Sequence, residues 1–175
     1  MPDGLSWMSR RQRDGGIDRV PLPDGVPGAL WLCGKHAIGP DHERAIAEVG
    51  GDATVVCLTE EHELADRYPA YLVWLRAAVE RAAIWMPVHD LHAPPVDAAE
   101  ALVRDLACRL VDGDTLLVHC AAGMGRTGTI AACVLIALGH DTTTALDSVG
   151  AARPGAGPEV GAQRDLVETI AARLR

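Results

Sequence analysis

The chain has 175 residues, 49% of them hydrophobic, and a formal net charge of -8 at pH 7. This length suits one domain with a substantial core, and we expect residues 1–175 to form a single domain with an irregular N-terminal arm over residues 1–28. A nucleic-acid-binding protein needs a basic surface to neutralise phosphates, so the negative charge argues against nucleic acid as a partner.

The cysteine content and the apolar segments of the chain indicate its expected cellular compartment. The five cysteines are odd in number and show no short paired spacing, which favours a reduced, cytoplasmic protein. No apolar segment follows the N-terminal basic residues, so we expect no signal peptide. The apolar run Thr129–Leu138 is shorter than the roughly 20 residues that cross a bilayer, and we predict no membrane association.

The first half of the chain alternates the patterns of strands and helices. Short apolar runs that end at glycine or proline are typical of buried strands, and longer segments with an acidic start are typical of helices. In chain order we predict an edge strand at Ala29–Leu32, a helix at Asp41–Val49, a central strand at Ala53–Leu58, a helix at Tyr71–Ala83 and a strand at Ile84–Val88.

The second half continues the alternation. Asp97 and Glu100 have the spacing of a capping box, in which two side chains satisfy the first backbone N–H groups of a helix. We predict a helix at Asp97–Val111, a strand at Thr115–Val118, a helix at Thr129–Leu138, a helix that begins near Thr144 and a last helix at Gly161–Leu174. This alternation predicts an α/β fold with a mostly parallel central sheet flanked by helices on both faces.

The segment between the last predicted strand and the helix after it carries the clearest chemical pattern. It reads His-Cys-Ala-Ala-Gly-Met-Gly-Arg-Thr-Gly over residues 119–128, with Cys120 six positions before Arg126. Backbone N–H groups of a glycine-rich loop and of the following helix N-terminus form an oxyanion site. An arginine holds two phosphate oxygens with its planar guanidinium, and the same positive field stabilises a thiolate. The segment predicts a nucleophilic thiol beside a bound phosphate ester.

Two other interpretations of this segment are open. Cys120 could be a small buried apolar residue in a strand-to-helix turn, but that leaves Arg126 unexplained. Gly123, Gly125 and Gly128 also spell the G-x-G-x-x-G pattern of dinucleotide-binding folds. Such a fold needs a second strand that ends in Asp or Glu about 20 residues later, whereas a helix is predicted there.

The same ten residues resemble the signature loop of the cysteine-dependent protein tyrosine phosphatase superfamily: a His-Cys pair, five residues, then Arg and Ser or Thr. The segment Trp85–Asp90, followed by two prolines, is similar to the aspartate loop of the dual-specificity branch. Arg153–Ala156 is similar to a turn that this branch often has after the signature helix. The resemblance runs from about Ala53 to the C-terminus, and the first fifty residues fit it only loosely.

The resemblance implies a role for several of these residues. Cys120 is the expected nucleophile, Arg126 the phosphate ligand and Asp90 the general acid that protonates the leaving group. The hydroxyl of Thr127 is expected to donate a hydrogen bond to the sulfur of Cys120. We expect the phosphate to be held by residues of the loop itself, namely Ala121, Ala122, Gly123, Met124, Gly125 and Arg126.

Three further residues are candidates for supporting roles. His119 projects to the opposite side of its strand from Cys120, so we expect it to orient the cysteine backbone rather than to transfer protons. Gln163 is expected to position the hydrolytic water, and a surface glutamine at a helix start would fit its place equally well. Asp97 is the second candidate for the general acid, although the capping box already assigns it a structural role.

Two side-chain groups receive no catalytic role. His89 and His92 flank the aspartate at a spacing that is open to a metal, but histidines in a proline-bounded loop are more often solvated, and we predict no metal and no cofactor. Arg10, Arg11 and Arg13 form the only dense basic run of the chain, which we expect to be a solvated arm.

The loop composition bears on the substrate. Ala121, Ala122 and Met124 are uncharged, which favours a singly phosphorylated group over a polyphosphorylated inositide. We recognise no tyrosine-bearing loop of the kind that deepens the pocket of tyrosine-specific enzymes, which favours a shallow pocket. We therefore predict hydrolysis of phosphate monoesters in proteins, phosphotyrosine first and phosphoserine and phosphothreonine second, through a cysteinyl-phosphate intermediate.

Two alternatives on the same fold stay open. One is a phosphatase of phosphoinositides or of other small molecules. The other is a non-catalytic phosphate-binding module, which has no need of the intact nucleophile Cys120 or of the acid Asp90. In each case the expected partner is a phosphorylated substrate or ligand.

Overall fold

A five-stranded sheet positions the rest of the molecule. The computed structural model describes residues 10–175, with the side chain of Arg10 left out. The strands of this part are β1 (Ile17–Val20), β2 (Ala29–Gly34), β3 (Thr54–Cys57), β4 (Ala83–Trp85) and β5 (Thr115–Cys120). They lie in the order β1-β2-β5-β3-β4, with β1 antiparallel to β2 and all other neighbours parallel. The prediction of a mostly parallel sheet is confirmed.

Helices cover both faces of this sheet. In chain order they are α1 (Arg10–Asp14), α2 (Lys35–Ile38), α3 (His42–Glu48), α4 (His62–Ala65), α5 (Pro69–Ala78), α6 (Val96–Val111), α7 (Gly125–Ala137), α8 (Thr142–Ala152) and α9 (Gly161–Arg173). One hydrophobic core joins α6 to α9 to the sheet, and a second core joins α2 to α5 to the opposite face. The predicted α/β architecture with two helical layers is confirmed. Between residues 10 and 175, no helix is both long and apolar enough to cross a membrane.

The middle strand, β5, contributes to both cores. Val118 and Cys120 belong to the core of α6 to α9, whereas Leu117 belongs to the core of α2 to α5. His119 also points to the second side, where its ring meets Tyr71 of α5. The alternation follows from the pleat of a strand, whose successive side chains point to opposite faces. The cysteine and the histidine before it therefore lie on opposite faces, as the sequence predicts.

The expectation of an irregular arm over residues 1–28 is wrong for residues 10–20, which contain α1 and β1, whereas residues 21–28 contain no helix or strand. β1 lies within it and pairs with β2, so β2 is an inner strand rather than the predicted edge strand. β1 has only four residues, and Asp18 and Arg19 interrupt its apolar pattern, which is why the sequence did not reveal it. Residues 1–9 lie outside the described part.

The basic run expected in a solvated arm falls in α1. Arg11 and Arg13 are exposed there, and Arg11 forms an ion pair with Asp18 of β1. The side chain of Arg10 lies outside the described part of the chain. Arg11 and Arg13 are thus solvent-exposed as expected, but Arg11 is also tied to the sheet.

The predicted capping box at the start of α6 is wrong. The helix begins at Val96 directly after Pro95, and no side chain caps its first N–H groups. The N-cap position is occupied by Pro95, whose side chain has no oxygen to accept a hydrogen bond, and Asp97 lies within the first turn. Asp97 and Glu100 contact Arg173 at the C-terminal end of α9 instead, at 2.7 and 3.0 Å.

The other predicted elements are present with shifted ends. α5 ends at Ala78, five residues earlier than predicted, and Glu80 in the turn after it has a left-handed φ of 68°. α7 begins at Gly125 rather than at Thr129, so the last four of the ten signature residues are already helical. α8 begins two residues early because the carboxylate of Asp141 accepts a hydrogen bond from the Thr144 backbone and caps the helix.

Candidate active site

The signature loop turns its carbonyl groups outwards. Each of five successive carbonyl oxygens has a protein donor: Ala121 from Lys35 N (2.9 Å), Ala122 from Arg153 Nη2 (2.9 Å), Gly123 from Arg153 Nε (2.9 Å), Met124 from Gly157 N (3.1 Å) and Gly125 from Thr129 Oγ1 (2.6 Å). Across a planar trans peptide, the C=O of one residue and the N–H of the next point in opposite directions. The N–H groups of residues 122–126 therefore face the inside of the loop, which makes it an anion-binding nest.

The thiol of Cys120 lies at the floor of this nest. It is buried at the end of β5, and its Sγ accepts a hydrogen bond from the backbone N–H of Gly123 at 3.3 Å. Gly123 has a left-handed φ of 74°, and a Cβ on it would lie 2.3 Å from the carbonyl oxygen of Cys33. Only glycine fits this position, so the glycine of the motif is required by both backbone conformation and space.

The guanidinium of Arg153 holds the loop from behind. This side chain is completely buried, and its Nε and Nη2 donate to the carbonyls of Gly123 and Ala122. Its Nη1 donates to the carbonyls of residues 15 and 16 and to Asp18 Oδ2, the last at 2.7 Å. From the sequence alone, this arginine is identified only as part of a turn that resembles one in the dual-specificity branch. The structure shows that it joins the signature loop to β1.

Arg126 lies beside the nest on the first turn of α7, with 2% of its side chain exposed. Its Nη1 and Nη2 donate to the two carboxylate oxygens of Glu63, both at 2.8 Å, and Nη1 also donates to the carbonyl of Val88 at 2.7 Å. The terminal edge of the guanidinium is therefore held by protein. The Nε has no hydrogen-bond partner in the described part of the chain, so the lateral edge remains for an anion.

Glu63 is the site residue that sequence reasoning missed. Burial raises the pKa of its carboxyl, but hydrogen bonds from Arg126 and the backbone of Glu60, with the charges of Arg126 and Lys35, lower it below its usual value. Glu63 is therefore ionised at neutral pH, and its carboxylate holds the guanidinium of Arg126 in one orientation. It lies 63 residues from Arg126. The sequence signal for Glu63 is its position shortly after β3, whose carboxyl end lies at the same edge of the sheet as that of β5.

Asp90 lies above the nest in the loop after β4. Its side chain is 65% exposed, and Oδ1 is 3.3 Å from Arg126 Nη2. The same oxygen accepts a hydrogen bond from the backbone of Leu91 at 3.0 Å. The structure thus brings Asp90, Arg126 and the nest together. It does not bring Asp97 there, because that residue is 91% exposed on α6 and pairs with Arg173.

Gln163 holds the aspartate loop rather than lying on the surface. It is 1% exposed, so the alternative of a surface glutamine is wrong. Its Oε1 accepts a hydrogen bond from the backbone of Glu159 at 2.8 Å, and its Nε2 donates to the carbonyl of His92 at 3.2 Å. The amide therefore connects the start of α9 to the loop that carries Asp90. Its role in positioning water stays a prediction.

His119 supports the cysteine from the opposite face of the sheet. Its Nδ1 is 3.2 Å from the carbonyl oxygen of Cys120, and its Nε2 is 2.6 Å from Tyr71 Oη. Burial lowers the pKa of His119 to about 4, so the ring is neutral at pH 7. A carbonyl only accepts, which assigns the proton to Nδ1 and makes Tyr71 the donor to Nε2. This geometry fits the expected orienting role.

Thr127 has no hydrogen bond to the sulfur in this arrangement. Its Oγ1 is buried and, like the Nε of Arg126, has no hydrogen-bond partner among residues 10–175. Two buried polar atoms without partners on the same turn of α7 are unusual, because each costs desolvation free energy. The predicted contact between Thr127 and Cys120 stays a prediction.

The histidines beside the aspartate bind neighbouring protein groups. His89 Nδ1 lies 2.8 Å from Glu60 Oε2, and His92 Nδ1 lies 2.8 Å from the carbonyl oxygen of Asp90. In the described part of the chain, no group of three or more His, Cys, Asp or Glu side chains is arranged to hold a metal ion.

The fold is that of the cysteine-dependent phosphatases, in the protein tyrosine and dual-specificity superfamily. Residues 26–169 match the family described as "PTP-SAK: Swiss Army Knife protein, DSP-PTPase phosphatase domain", and the chain belongs to this family. The match begins well before Ala53, which corrects the expectation that the first fifty residues fit only loosely. The dinucleotide-binding alternative is wrong, since α8 rather than a strand follows α7.

Solved structures of related phosphatases have the same fold. Tk-PTP in its active form is 30% identical over 84% of this chain and 92% of its own, with a TM-score of 0.64. Kinase-associated phosphatase, with serine for its catalytic-site cysteine, is 20% identical over 91% and 95%, with a TM-score of 0.72. PTPMT1 in complex with PI(5)P is 17% identical over 88% and 95%, with a TM-score of 0.69. No curated protein sequence matches the chain significantly.

Replacing Glu63 with glutamine should impair turnover of an aryl phosphate. Glutamine has one carbonyl acceptor, so the two-oxygen contact with Arg126 is lost and the guanidinium is no longer held in one orientation. We expect kcat/KM to fall about 10- to 100-fold, which corresponds to one charge-assisted hydrogen bond. The matched control is Glu61→Gln, which removes a surface ion pair with Arg76. Equal activity of both variants would show that Glu63 does not position Arg126.

His119 should make the folded protein less stable in acid. The unfolded chain takes up a proton near the ordinary pKa of 6.5, whereas the folded protein takes it up only near 4. The stability is thus fully present above pH 6.5 and is lost as the pH falls towards 4, by about 3 kcal/mol. Urea unfolding at pH 7 and pH 4.5 should show a smaller loss for His119→Gln than for the wild type. The exposed His62→Gln variant should match the wild type.

Proposed function

We propose that this protein hydrolyses phosphate monoesters through a cysteinyl-phosphate intermediate. The observation that carries the proposal is the position of Cys120 Sγ at the floor of a nest whose N–H groups face inwards. A thiolate there is directly below the place where a phosphate dianion would bind. The buried guanidinium of Arg126, with its lateral edge available, supplies the countercharge for two of the phosphate oxygens.

The first step transfers the phosphoryl group to the enzyme. The sulfur of Cys120 attacks phosphorus, and the bond between phosphorus and the leaving-group oxygen breaks. Asp90, which lies 3.3 Å from Arg126 at the mouth of the nest, gives its proton to that oxygen. The loop amides and Arg126 stabilise the charge on the equatorial oxygens, where it is spread in the transition state.

The second step releases inorganic phosphate. Water gives a proton to the Asp90 carboxylate and attacks phosphorus, and the bond between sulfur and phosphorus breaks. Thr127 is placed on the first turn of α7, one residue after Arg126, and its hydroxyl would donate to the departing sulfur. Gln163 would act by holding the loop of Asp90 in place, in addition to the predicted contact of its amide with water.

The proposed substrates are phosphorylated proteins, with phosphotyrosine preferred to phosphoserine and phosphothreonine. Ala121, Ala122 and Met124 bring no charge to the nest, so the loop itself is suited to one phosphate group. Leu91 is exposed beside Asp90 and offers an apolar contact to an aromatic ring. A phosphoinositide phosphatase is the alternative, and the likeness to PTPMT1 concerns the fold alone.

The proposal is tested by assaying phosphotyrosine, phosphoserine and phosphothreonine peptides, inositol phosphates and nucleotides with wild type and Cys120→Ser side by side. We expect the wild type to hydrolyse aryl phosphates and phosphotyrosine peptides fastest, and Cys120→Ser to lose activity by at least about 1,000-fold, because a hydroxyl is a far weaker nucleophile than a thiolate. Cys108→Ser is the matched control, since Cys108 is exposed on α6. Activity retained by Cys120→Ser would exclude the covalent mechanism.

Asp90→Asn should affect alkyl and aryl esters differently. An alkoxide is a poor leaving group that needs the proton of a general acid, which contributes about 100- to 10,000-fold, whereas a nitrophenolate leaves without it. We expect a much greater loss of kcat for a phosphoserine peptide than for p-nitrophenyl phosphate. Asp97→Asn should retain wild-type rates on both. The same loss on both esters would place the general acid elsewhere.

A further inference from the structure

Glu159 places a carboxylate beside the nest. It lies in the segment between α8 and α9, and its side chain packs against Gly125, the first residue of α7. A Cβ on Gly125 would collide with Oε2 of Glu159, so only glycine leaves room for the carboxylate. Gly125 directly precedes Arg126, and its backbone N–H is one of those that face the anion. The carboxylate of Glu159 is therefore a direct neighbour of the phosphate-binding loop.

Backbone contacts fix Glu159 at this place. The segment before it is docked on the signature loop, since Gly157 N donates to the carbonyl of Met124 at 3.1 Å. A Cβ on Gly128 would collide with the backbone of Gly157, so α7 and this segment are in close contact. The backbone N–H of Glu159 itself donates to Gln163 Oε1 at 2.8 Å. The fold therefore sets the position of Glu159 relative to the loop.

Glu159 and the aspartate loop lie on the same side of the nest. Gln163 bonds to both segments, through Oε1 to the N–H of Glu159 and through Nε2 to the carbonyl of His92 at 3.2 Å. His92 is two residues from Asp90, which lies at the mouth of the nest beside Arg126. One buried amide thus joins the two segments, and the carboxylate of Glu159 lies at the rim of that mouth.

The charge of Glu159 is not balanced by a cation. The residue is exposed, and within residues 10–175 its carboxylate forms no ion pair and accepts no hydrogen bond. The carboxylates of Glu63 and Asp90 differ, because both lie against the guanidinium of Arg126. The N-terminus of α7 attracts Glu159, but the same positive field has to hold the phosphate. An occupied nest therefore leaves Glu159 without a countercharge from the described part of the chain.

This unbalanced charge affects which substrates bind well. A phosphate in the nest and a carboxylate at its rim repel each other, because like charges at short range raise the energy of both. A positive group close to the phosphate of the substrate offsets the repulsion and is itself attracted to Glu159. Further negative groups on the substrate increase the repulsion. Glu159 therefore discriminates between substrates by the charge that surrounds their phosphate.

We propose that Glu159 selects phosphopeptides with an arginine or lysine close to the phosphorylated residue, by pairing with that basic side chain. The inference rests on the proposed function, because the phosphate must occupy the nest. A peptide suits the geometry because each extended residue spans about 3.3 Å, so residues next to the phosphotyrosine lie over the rim. Arginine suits it best, since its planar guanidinium binds both oxygens of a carboxylate.

The test compares phosphotyrosine peptides that carry either arginine or alanine at one position, one to three residues away on either side. At the favoured position, we expect arginine to lower KM about threefold with kcat unchanged, as for one exposed ion pair. Glu159→Gln keeps the shape of the side chain and should remove this advantage. Glu168→Gln is the matched control, since Glu168 is an exposed glutamate on α9 that faces α8 instead of the nest.

Reversing the charge gives a second, independent measurement. Glu159→Lys should reverse the preference, so that glutamate rather than arginine at the favoured position lowers KM. Both preferences should become smaller at high salt, because exposed charges are screened. On p-nitrophenyl phosphate, which carries no cation, Glu159→Gln should retain the wild-type kcat.

Several results would overturn the inference. They are the absence of an arginine advantage at every position, an advantage that survives in Glu159→Gln, and an unchanged preference in Glu159→Lys. A burst of nitrophenolate followed by slow turnover in Glu159→Gln would place Glu159 at the water of the second step instead. An advantage that depends on Glu159 for phosphoethanolamine over ethyl phosphate, but not for peptides, would overturn the assignment to a peptide.

Failure of the proposed function is distinguishable from failure of this inference. The wild type would then hydrolyse neither the arginine nor the alanine peptides. Calorimetric titration of both peptides into Cys120→Ser would still compare their affinities. Tighter binding of the arginine peptide, lost when Glu159→Gln is added, would support the inference, and equal binding would overturn it.

Discussion

Phosphate binding at the nest depends on the outward orientation of five backbone carbonyl groups of the signature loop. A short loop with free carbonyls would present oxygen atoms as well as N–H groups to a phosphate, and the oxygen atoms would repel it. Arg153 prevents this at two consecutive residues, and its own buried charge is balanced by Asp18 on β1. A buried guanidinium is tolerated only when its donors are satisfied. The anion site therefore depends on a buried cation, Arg153, that does not itself contact the anion.

The second cation of the site, Arg126, is held in a different way. Glu63 occupies one edge of its guanidinium and Val88 adds a carbonyl, so the remaining edge has a defined direction. Because Val88 and Asp90 lie in the same loop, the arginine also fixes the loop that carries the expected acid. Gln163 holds that loop from its other side, through His92. The ends of parallel strands meet at one edge of a sheet, which is why these distant segments converge.

The sequence could predict only those parts of the site that depend on local patterns. Cys120 and Arg126 are six positions apart, and the strand, glycine loop and helix start that join them are recognisable as local sequence patterns. Glu63 and Asp18 could not be found in this way, because their partners lie 63 and 135 residues away. The prediction of a capping box was wrong for a related reason. α6 begins at Val96, directly after Pro95, and both acidic side chains pair with Arg173 of a distant helix.

By itself, the sequence determined the α/β class, the order of most strands and helices along the chain, the nest motif and the family resemblance, since these depend on short-range periodicity and spacing. The tertiary structure decided that β2 lies inside the sheet, that Gln163 is buried against the aspartate loop, and that Arg153 and Glu63 hold the two sides of the nest. Hydrogen bonds and charge pairs between distant segments form only after the chain has folded, and no local pattern encodes which residues will meet.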